Sequence, residues 1–456
     1  MATTQTASAA AKPPSAGYRV WVLFMLFVVY AFNFLDRQII SILAIPIQQE
    51  LDLTDRQLGL LGGIAFAALY STLGVPIAWL ADRTNRTWII TVSLTVWSGF
   101  TALCGFAQNF WQLFLSRVGV GVGEAGGVAP SYSLVADYFP PQSRARALAI
   151  YSLGIPIGSA FGVVAGAQIA GGNMGDNLDW RAAFIIVGIA GIVIAPIFKL
   201  TLREPKRGGL DVKAKAADAK TQPEPGEAAS VAAPAEAAEE KKPGFGEVLG
   251  VLAKKPSFWF LVLGASCSSM MGYGVFFWIP SFFARSFELD IVTTGWLFGG
   301  ILFVGGSLGI ILGGVLGDLM GKGSKKMFAI VPAVAFFLTF PLYIAGTMAT
   351  TPLVAAALFV IPTGLGLAWL GPTLSAFQHL APPNMRSMAS AVFLLINNLL
   401  GIGVGVYVLG ELSTLLTPIF DQEALRYSIM IGASLYVVAG TLFLIASRTI
   451  ENDWEK

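Results

Sequence analysis

The sequence has very few of the residues that build catalytic and metal sites. Its 456 residues include one histidine, His379, and two cysteines, Cys104 and Cys267. Both cysteines fall inside apolar runs, so they provide neither a disulfide framework nor a set of metal ligands. One histidine and two distant cysteines also cannot form a catalytic dyad. We therefore expect no enzymatic activity, no metal site and no bound cofactor.

Charged residues are scarce as well. They make up 12% of the chain, whereas hydrophobic residues make up 55%, and the mean hydropathy is +0.70. These values exclude an ordinary soluble domain, and the net charge of +2 gives no sign of a nucleic-acid partner. Apolar stretches long enough to cross a hydrocarbon core of about 30 Å recur along the chain. The composition therefore predicts an all-α integral membrane protein.

Charged residues, prolines and glycines divide the apolar sequence into twelve segments. Six predicted transmembrane helices, helices 1 to 6, cover residues 18–46, 57–80, 88–107, 110–136, 145–170 and 182–201. Helices 7 to 12 are predicted at 256–284, 293–316, 326–347, 352–379, 387–415 and 426–448. The predicted domains are a disordered tail (1–17), a six-helix bundle (18–202), a linker (203–255), a second bundle (256–449) and a C-terminal tail (450–456). The linker, rich in Ala, Lys, Glu and Pro, holds at most a short interfacial helix near 245–252.

Basic residues are distributed unevenly between the two sides of the predicted bundle. If the N-terminus is inside, 23 of the 29 Lys and Arg residues lie on the inner side, and these include every lysine. Four arginines lie in outer loops: Arg56, Arg181, Arg285 and Arg426. Because Lys and Arg accumulate in cytoplasmic loops, we expect a multi-pass protein of the cell inner (plasma) membrane with both termini in the cytoplasm.

The two halves repeat each other in their cytoplasmic loops. The segment DYFPPQSRARALAI after helix 4 parallels QHLAPPNMRSMASAV after helix 10, so that Arg144 recurs as Arg386. The segment AWLADRTNR after helix 2 parallels GVLGDLMGK after helix 8, so that Asp82 recurs as Asp318. Two parallel six-helix halves with a substrate site at their interface are the arrangement of the major facilitator fold. We therefore predict this fold, with two pseudo-symmetric six-helix bundles.

The loop after helix 2 resembles the loop signature of that superfamily, Gly-x-Leu-Ala-Asp-Arg-x-Gly-Arg. Ala78 and Asn85 replace its two glycines in this copy. A carboxylate near a helix end, with basic residues one and four positions on, can bind neighbouring helix ends in one state and release them in another. We expect a conformational latch; the alternative is a basic turn that only orients the protein. The predicted latch residues are Asp82, Arg83, Arg86, Arg144, Asp318 and Lys322.

Four charged residues lie inside predicted helices, where charge is costly and usually functional. Helix 1 carries Asp36 and Arg37, and helix 4 carries Arg117 and Glu124 on one face, about 10 Å apart along the axis. The proton affinity of a buried carboxylate changes when a nearby arginine moves. We therefore predict proton coupling through Glu124, and secondly Asp36. The two arginines are predicted to form a charge network that gates transport and binds an anionic substrate. A static ion network between the two helices is the alternative.

Three segments together resemble the spinster family within that superfamily: NFLDRQIIS on helix 1, GVPIAWLADRTNR after helix 2, and RVGVGVGEAGGVAPSYSLVADYFPPQSRARAL on helices 4 and 5. The resemblance covers the whole twelve-helix layout and is most specific in the N-terminal half. Animal relatives export lysophospholipids or sphingosine 1-phosphate, and bacterial members are viewed as proton-coupled. The resemblance implies that the same four charged residues form the coupling and gating set. The linker composition favours a bacterial homologue.

We therefore expect a proton-coupled secondary transporter that works as a monomer by alternating access. Its expected substrate is a lysophospholipid or a lipid similar to sphingosine phosphate, and its other partners are protons and membrane lipids. Small organic anions, sugars or drugs are alternative substrates, and a passive channel or a non-transporting receptor or scaffold is an alternative of another class. Candidate cavity residues in the second half are Tyr273, Phe276, Phe277, Trp278, Trp369, Asn397 and Asn398.

Overall fold

The computed structural model describes residues 15–175, 178–207, 245–320, 324–382 and 385–455. In these ranges the regular structure is entirely helical. Ten segments are long and apolar enough to cross a membrane; the last of them, Met388–Asp453, contains two helices, and the interrupted fourth helix is not among the ten. The described residues therefore fit twelve crossings, and the chain is a multi-pass membrane protein.

The first half contains helices 1 to 6 and one short connecting helix. Helix 1 is Ala16–Ile42, followed by the short helix Ala44–Leu51; helix 2 is Asp55–Gly62 with Ile64–Ala81, helix 3 is Arg86–Cys104, helix 4 is Phe110–Glu124 with Val128–Tyr138, helix 5 is Pro141–Ser152 with Gly154–Ala170, and helix 6 is Trp180–Thr201. Helix 1 begins two residues before its predicted start, and residues 1–14 of the predicted tail lie outside the described residues.

The second half follows the linker helix Phe245–Ala253, which was expected from the sequence. Helix 7 is Pro256–Ser286, helix 8 is Ile291–Met320, helix 9 is Met327–Thr347, helix 10 is Pro352–Ala368 with Leu370–His379, helix 11 is Arg386–Asn398 with the π-helix Leu399–Val404 and Gly405–Phe420, and helix 12 is Ala424–Asp453 after a 3₁₀ turn, Asp421–Glu423. Residues 208–244 of the predicted linker lie outside the described residues.

Helix 4 is interrupted where a continuous helix was predicted. Its first segment ends at Glu124, residues 125–127 form a turn, and the second segment begins at Val128. The interruption falls on the sequence Ala-Gly-Gly, and glycine disfavours a helix interior because it loses the most conformational freedom on folding. Glu124 therefore lies at a helix end in the middle of a membrane crossing.

Glycines on helix 4 let it approach its neighbours closely. A Cβ atom on Gly119 would lie 2.3 Å from the Phe100 ring of helix 3, and one on Gly121 would lie 2.4 Å from the Phe66 carbonyl of helix 2. Small residues at such contacts are typical of helices that associate within a membrane. The glycines of GVGVGEAGG therefore serve helix packing.

The end of the last helix is fixed to the ends of helices 7 and 10. Trp454 stacks on His379 of helix 10 with ring centroids 4.7 Å apart, and the Lys255 ammonium donates to the carbonyls of Leu380 and Asp453, each at 2.8 Å. The segment 450–455, predicted as a tail, is thus packed against the second half. The face of the molecule that carries both termini is called the terminal face below, and the opposite face the distal face.

The largest contacts between the two halves are made by two pairs of helices. Helices 5 and 8 pack from Ala167 against Gly295, near the distal face, to Pro156 against Gly306, near the middle of helix 5. On the other side, helices 2 and 11 pack with Gly63 against Gly403. These contacts run from the distal face towards the middle of the molecule, so the halves are joined there.

Candidate functional site

The structure brings the four predicted membrane charges together between helices 1 and 4. The Arg37 Nε atom lies 2.7 Å from Oε2 of Glu124, and the Asp36 carboxyl group faces Arg117 and Glu124. Asp36 and Arg117 are each 1% exposed, and Glu124 is fully buried. With all four ionised, the two positive and two negative charges cancel. A proton added to either carboxylate would leave the group with one net positive charge.

Aromatic rings hold the guanidinium group of Arg37. Its central carbon lies 4.4 Å from the ring centroid of Tyr70, 4.8 Å from that of Phe66 and 5.0 Å from that of Phe34. A guanidinium group is weakly hydrated and packs favourably on aromatic faces. Tyr273 of helix 7 also faces Arg37. Arg37 therefore lies where the first half meets the second.

Several polar atoms in this charge group have no hydrogen-bond partner in the described residues. They include Oε1 of Glu124, both carboxylate oxygens of Asp36, and Nε and Nη1 of Arg117. Most buried polar atoms in folded proteins have a partner, and exceptions are often found at functional sites. The group thus retains donor and acceptor atoms that its own hydrogen bonds do not use.

The helix interruption changes the surroundings of Glu124. The last turn of a helix carries partial negative charge, although the carbonyls of Gly121, Gly123 and Glu124 accept from the N–H groups of the following turn. A carboxylate at this end is therefore disfavoured, and the 2.7 Å contact with Arg37 offsets that effect. Sequence reasoning identified Glu124 but missed the helix end, although the Ala-Gly-Gly sequence that follows it was a usable signal.

Two of the predicted latch residues bind the part of the first half near the terminal face. Arg86, 1% exposed, donates to Asp137 at 2.5 Å and to Glu204 at 2.7 Å. Arg144 donates to the Ala136 carbonyl at 2.8 Å. The acidic partners Asp137, on helix 4, and Glu204, after helix 6, were missed because neither lies in the loop signature.

The remaining latch residues are less enclosed. Asp82 is exposed and makes no ion pair in the described part of the chain, and Arg83 stacks on Trp79 at 4.0 Å. Arg207 donates to the carbonyls of Ala81 and Thr84, on either side of Asp82, at 2.6 and 2.7 Å. The side chain of Asp318 and the whole of Lys322 lie outside the described residues.

The predicted cavity residues fall into two groups. Tyr273 faces Arg37, and the Phe277 ring packs on Gly62 of helix 2, so both lie where the halves meet. By contrast, Trp278 is fully buried and its indole donates to the Val406 carbonyl at 2.9 Å. We expected it to face a cavity, but this hydrogen bond turns it towards helix 11.

The other cavity candidates lie mainly within the second half. Asn397, 4% exposed, accepts a hydrogen bond from Ser269 at 2.9 Å, and Trp369, 5% exposed, packs 6.1 Å from the Phe336 ring. Asn398 and Phe276 are partly buried. The structure therefore brings Tyr273 and Phe277 of the predicted set next to the first half, and holds Asn397 and Trp369 in contacts within their own half.

Sequence reasoning missed a group of tyrosines in the first half. Tyr30 and Tyr151 stack with ring centroids 4.2 Å apart, and Tyr132 lies 5.4 Å from Tyr151 and is 41% exposed. Tyr30 precedes Arg37 by two turns of helix 1, on the same face. These rings form an aromatic wall that leads from the charge group towards the terminal face.

A second missed feature joins the halves at the distal face. Asp55 of helix 2 accepts two hydrogen bonds from Arg285 of helix 7, at 2.6 and 2.7 Å, and one from Ser413 of helix 11 at 2.6 Å. Arg56 and Glu411 form a second ion pair between the halves at 2.5 Å. We call these two ion pairs the distal lock. In the described residues, both ion pairs that join the halves belong to it.

The full chain is similar to known membrane proteins. The family model described as Major Facilitator Superfamily matches residues 26–406. An MFS-type efflux pump of Mycolicibacterium smegmatis is 29% identical over 95% of this chain and 94% of its own length. Protein spinster homolog 1 of Xenopus tropicalis is 27% identical over 96% of this chain and 82% of its own length.

A solved structure covers nearly the same length. It is the crystal structure of a bacterial homologue of the human lysosomal transporter Spinster in an inward-facing and unoccupied conformation. The match has a TM-score of 0.82 and 30% sequence identity, and it covers 97% of this chain and all of that chain. A bacterial Spinster homologue in an inward-facing and occupied conformation matches with a TM-score of 0.79.

Proposed function

Since this chain belongs to the major facilitator superfamily and is a transporter of the spinster type, we propose that it couples proton movement to the transport of an amphipathic anionic lipid. The proposed substrate is a lysophospholipid or a lipid similar to sphingosine phosphate. The observation that carries the proposal is the buried ion pair of Arg37 and Glu124, which lies at the junction of the two halves. The chain is a transporter rather than an enzyme, and it works by alternating access.

The coupling step follows from the charges of the site. Protonation of Glu124 removes the negative partner of Arg37, and the freed guanidinium then attracts the anionic headgroup of the substrate. Loss of the proton restores the ion pair and favours release of the substrate. Because the four charges sum to zero, one bound proton leaves the site with one net positive charge. This charge would balance one negative charge on the substrate. Asp36 beside Arg117 is the second candidate for the titrating group.

The substrate class is supported by the walls of the site. Phosphate and carboxylate groups pair well with the planar guanidinium of arginine. The rings of Phe66, Tyr70 and Tyr273 around it would contact the apolar part of an amphipathic molecule. In an amphipathic lipid, the anionic headgroup would bind Arg37 and the hydrocarbon chain would lie along the aromatic wall.

We also assign the conformational parts of the cycle. The distal lock holds the distal face closed in this conformation, and the latch around Asp82 is released, since Asp82 makes no ion pair in the described residues. In the opposite conformation the lock opens and Asp82 binds the second half. The similarity to an inward-facing structure supports this assignment. The site lies within one chain, which fits a monomer.

The proposed location is the plasma membrane, with the terminal face in the cytoplasm. The support is the concentration of lysines in the loops, tails and linker on the terminal side of the helices. A cysteine introduced near the C-terminus should then react with a membrane-impermeant thiol reagent only after the cells are opened.

A second substrate class also has support. The similarity to an MFS-type efflux pump, at 29% identity, is as extensive as that to the spinster proteins. Small organic anions or drugs could bind the same arginine. Competition would separate the two classes. Transport of labelled lysophospholipid would be measured in the presence of such a compound, and a compound that is itself a substrate should reduce it at concentrations near its own KM.

The direct test is transport of a labelled lysophospholipid by the purified protein in proteoliposomes, with and without a pH gradient. We expect the gradient to stimulate transport in the wild type and to have no effect in Glu124→Gln. Absence of lipid movement in both proteins would contradict the lipid substrate. Equal stimulation in both proteins would contradict coupling through Glu124. A receptor or scaffold would show no movement of any substrate.

A further inference from the structure

A buried asparagine lies beside the Glu124 carboxyl group. Asn33 of helix 1 is 2% exposed and precedes Arg37 by four residues, so the two side chains lie on the same face of the helix. Arg37 donates to Oε2 of Glu124, and the Asn33 amide faces the same carboxyl group. Glu124 thus has one charged neighbour and one neutral neighbour on helix 1.

Neither amide atom of Asn33 has a hydrogen-bond partner in the described residues. The same is true of Oε1 of Glu124. A buried amide without a partner is costly, and it is retained most readily where another state of the protein uses it. Asn33 also lines a narrow cleft with Trp97, Ser131 and Tyr151, which is too small to hold a water molecule.

The chemistry of an amide suits both protonation states of a carboxyl group. The Nδ2 group can donate to a carboxylate oxygen, and Oδ1 can accept from the hydroxyl of a protonated carboxyl. Arginine can only donate, so it cannot accept a hydrogen bond from the new O–H group, and its ion pair with Glu124 is lost when Glu124 is protonated. The other charged or titratable groups around the site are Asp36 on helix 1, Arg117 on helix 4, Cys104 on helix 3, Tyr70 on helix 2 and Tyr273 on helix 7.

We propose that Asn33 is a positioning residue for proton coupling, which holds the Glu124 carboxyl group in both protonation states after Arg37 has left it. The proposal rests on the proposed function, because it needs Glu124 to take up a proton during transport. Asn33 keeps the protonated carboxyl group in place while Arg37 binds the substrate, and it donates to the carboxylate until Arg37 returns.

The test is an infrared titration of the purified protein in lipid. The carbonyl band of protonated Glu124 is identified as the band that disappears in Glu124→Gln. In Asn33→Leu, we expect this band to move to higher frequency, because its hydrogen bond is removed. We expect its titration midpoint to stay close to that of the wild type, because the substitution removes a hydrogen bond from both protonation states. Asn33→Gln keeps the amide and should stay close to the wild type.

The matched control is Gln38→Leu. Gln38 is also buried on helix 1 and its Nε2 atom also lacks a partner in the described residues, but it follows Arg37 by one residue and so lies about 100° round the helix from it. It should leave the band unchanged. A titrating Glu124 band that is the same in Asn33→Leu and the wild type would overturn the role of Asn33 alone. Absence of any band that disappears in Glu124→Gln would overturn proton uptake by Glu124, and with it this inference.

Discussion

At the scale of single residues, the site depends on the shape of side chains as much as on their charge. Arg37 combines one ion pair, to Glu124, with stacking on three aromatic rings. Lysine has the same charge but lacks the planar group that stacks in this way. Side-chain size also matters where helices pack together. Several glycines lie so close to the backbone of a neighbouring helix that a larger side chain would not fit.

The substitution Arg37→Lys tests the importance of shape at the site. We expect transport to fall by about tenfold or more, because each cation–π interaction is worth about 0.5–2 kcal/mol and a tenfold change corresponds to about 1.4 kcal/mol. The measurement is the initial rate of lipid uptake at several substrate concentrations. Arg146→Lys, at an exposed position, is the control and should keep its activity. Unchanged transport in Arg37→Lys would mean that charge alone is sufficient.

A pair of glycine substitutions tests the close approach of helices 1 and 5. In Gly158→Ala, the new Cβ atom would lie 2.1 Å from the Ala31 carbonyl of helix 1, so the two helices must move apart. We expect a decrease of about 1–3 kcal/mol in stability, seen as a lower Tm in detergent. Gly74→Ala meets no atom within 4 Å and should be neutral or slightly stabilising. Equal Tm values for the two variants would contradict the close packing.

At the scale of helices and their connections, the sequence predicts crossings better than interruptions. The bilayer requires long apolar segments, so the twelve crossings can be read from hydropathy. The interruption after Glu124 falls on Ala-Gly-Gly, so the sequence carries a partial signal for it. The π-helix Leu399–Val404 could not be predicted from the sequence, because its hydrogen-bond pattern depends on packing against helices 2 and 7. The pairing of Arg37 with Glu124 also needed the structure, since hydropathy places both residues on helices but does not show that they meet.

The connection between helices 1, 3 and 6 has a pH dependence that can be measured. Glu50, in the short helix after helix 1, accepts from Arg181 at 2.7 Å and from the Trp180 indole at 2.5 Å. The hydrogen bond from Arg181 lowers the pKa of Glu50 below its usual value. A carboxylate whose pKa is lowered in the folded state stabilises the protein at pH values above its pKa in the unfolded state. This stabilisation is lost as the pH falls through its pKa in the folded state.

We therefore expect the Tm of Glu50→Gln to lie below that of the wild type at neutral pH and to approach it at acidic pH. Thermal unfolding in detergent across this range provides the measurement. The difference should be small, because Glu50 is largely exposed and such pairs are screened by solvent. A difference that is the same at every pH would show that the destabilisation comes from packing and not from the charge of Glu50.

At the scale of the whole molecule, the two halves are joined by ion pairs at the distal face, and the first half carries a charge group near the middle. The fold was predictable because the two halves repeat each other in sequence. The distal lock was not, because Asp55 and Arg285 are 230 residues apart and neither belongs to a repeated motif. From the sequence, Arg285 is assigned only to an outer loop, and Asp55 is not singled out.

Breaking the distal lock should shift the protein towards the distal-open conformation. Asp55→Asn removes the charge that holds Arg285 and weakens the bond to Ser413. Spin labels on the distal ends of helices 2 and 11 should report a larger fraction of long distances in this variant than in the wild type. Asp290→Asn, which removes a distal carboxylate that caps helix 8, is the control. An unchanged distance distribution in Asp55→Asn would contradict a gating role for the lock.

The central claim is that substrate transport moves protons through Glu124. The most direct measurement is proton flux in proteoliposomes that carry a pH-sensitive dye inside and receive lysophospholipid outside, with no imposed gradient. We expect the lipid to change the internal pH in the wild type, and to cross without any pH change in Glu124→Gln. Lipid transport by the wild type without a pH change would contradict proton coupling.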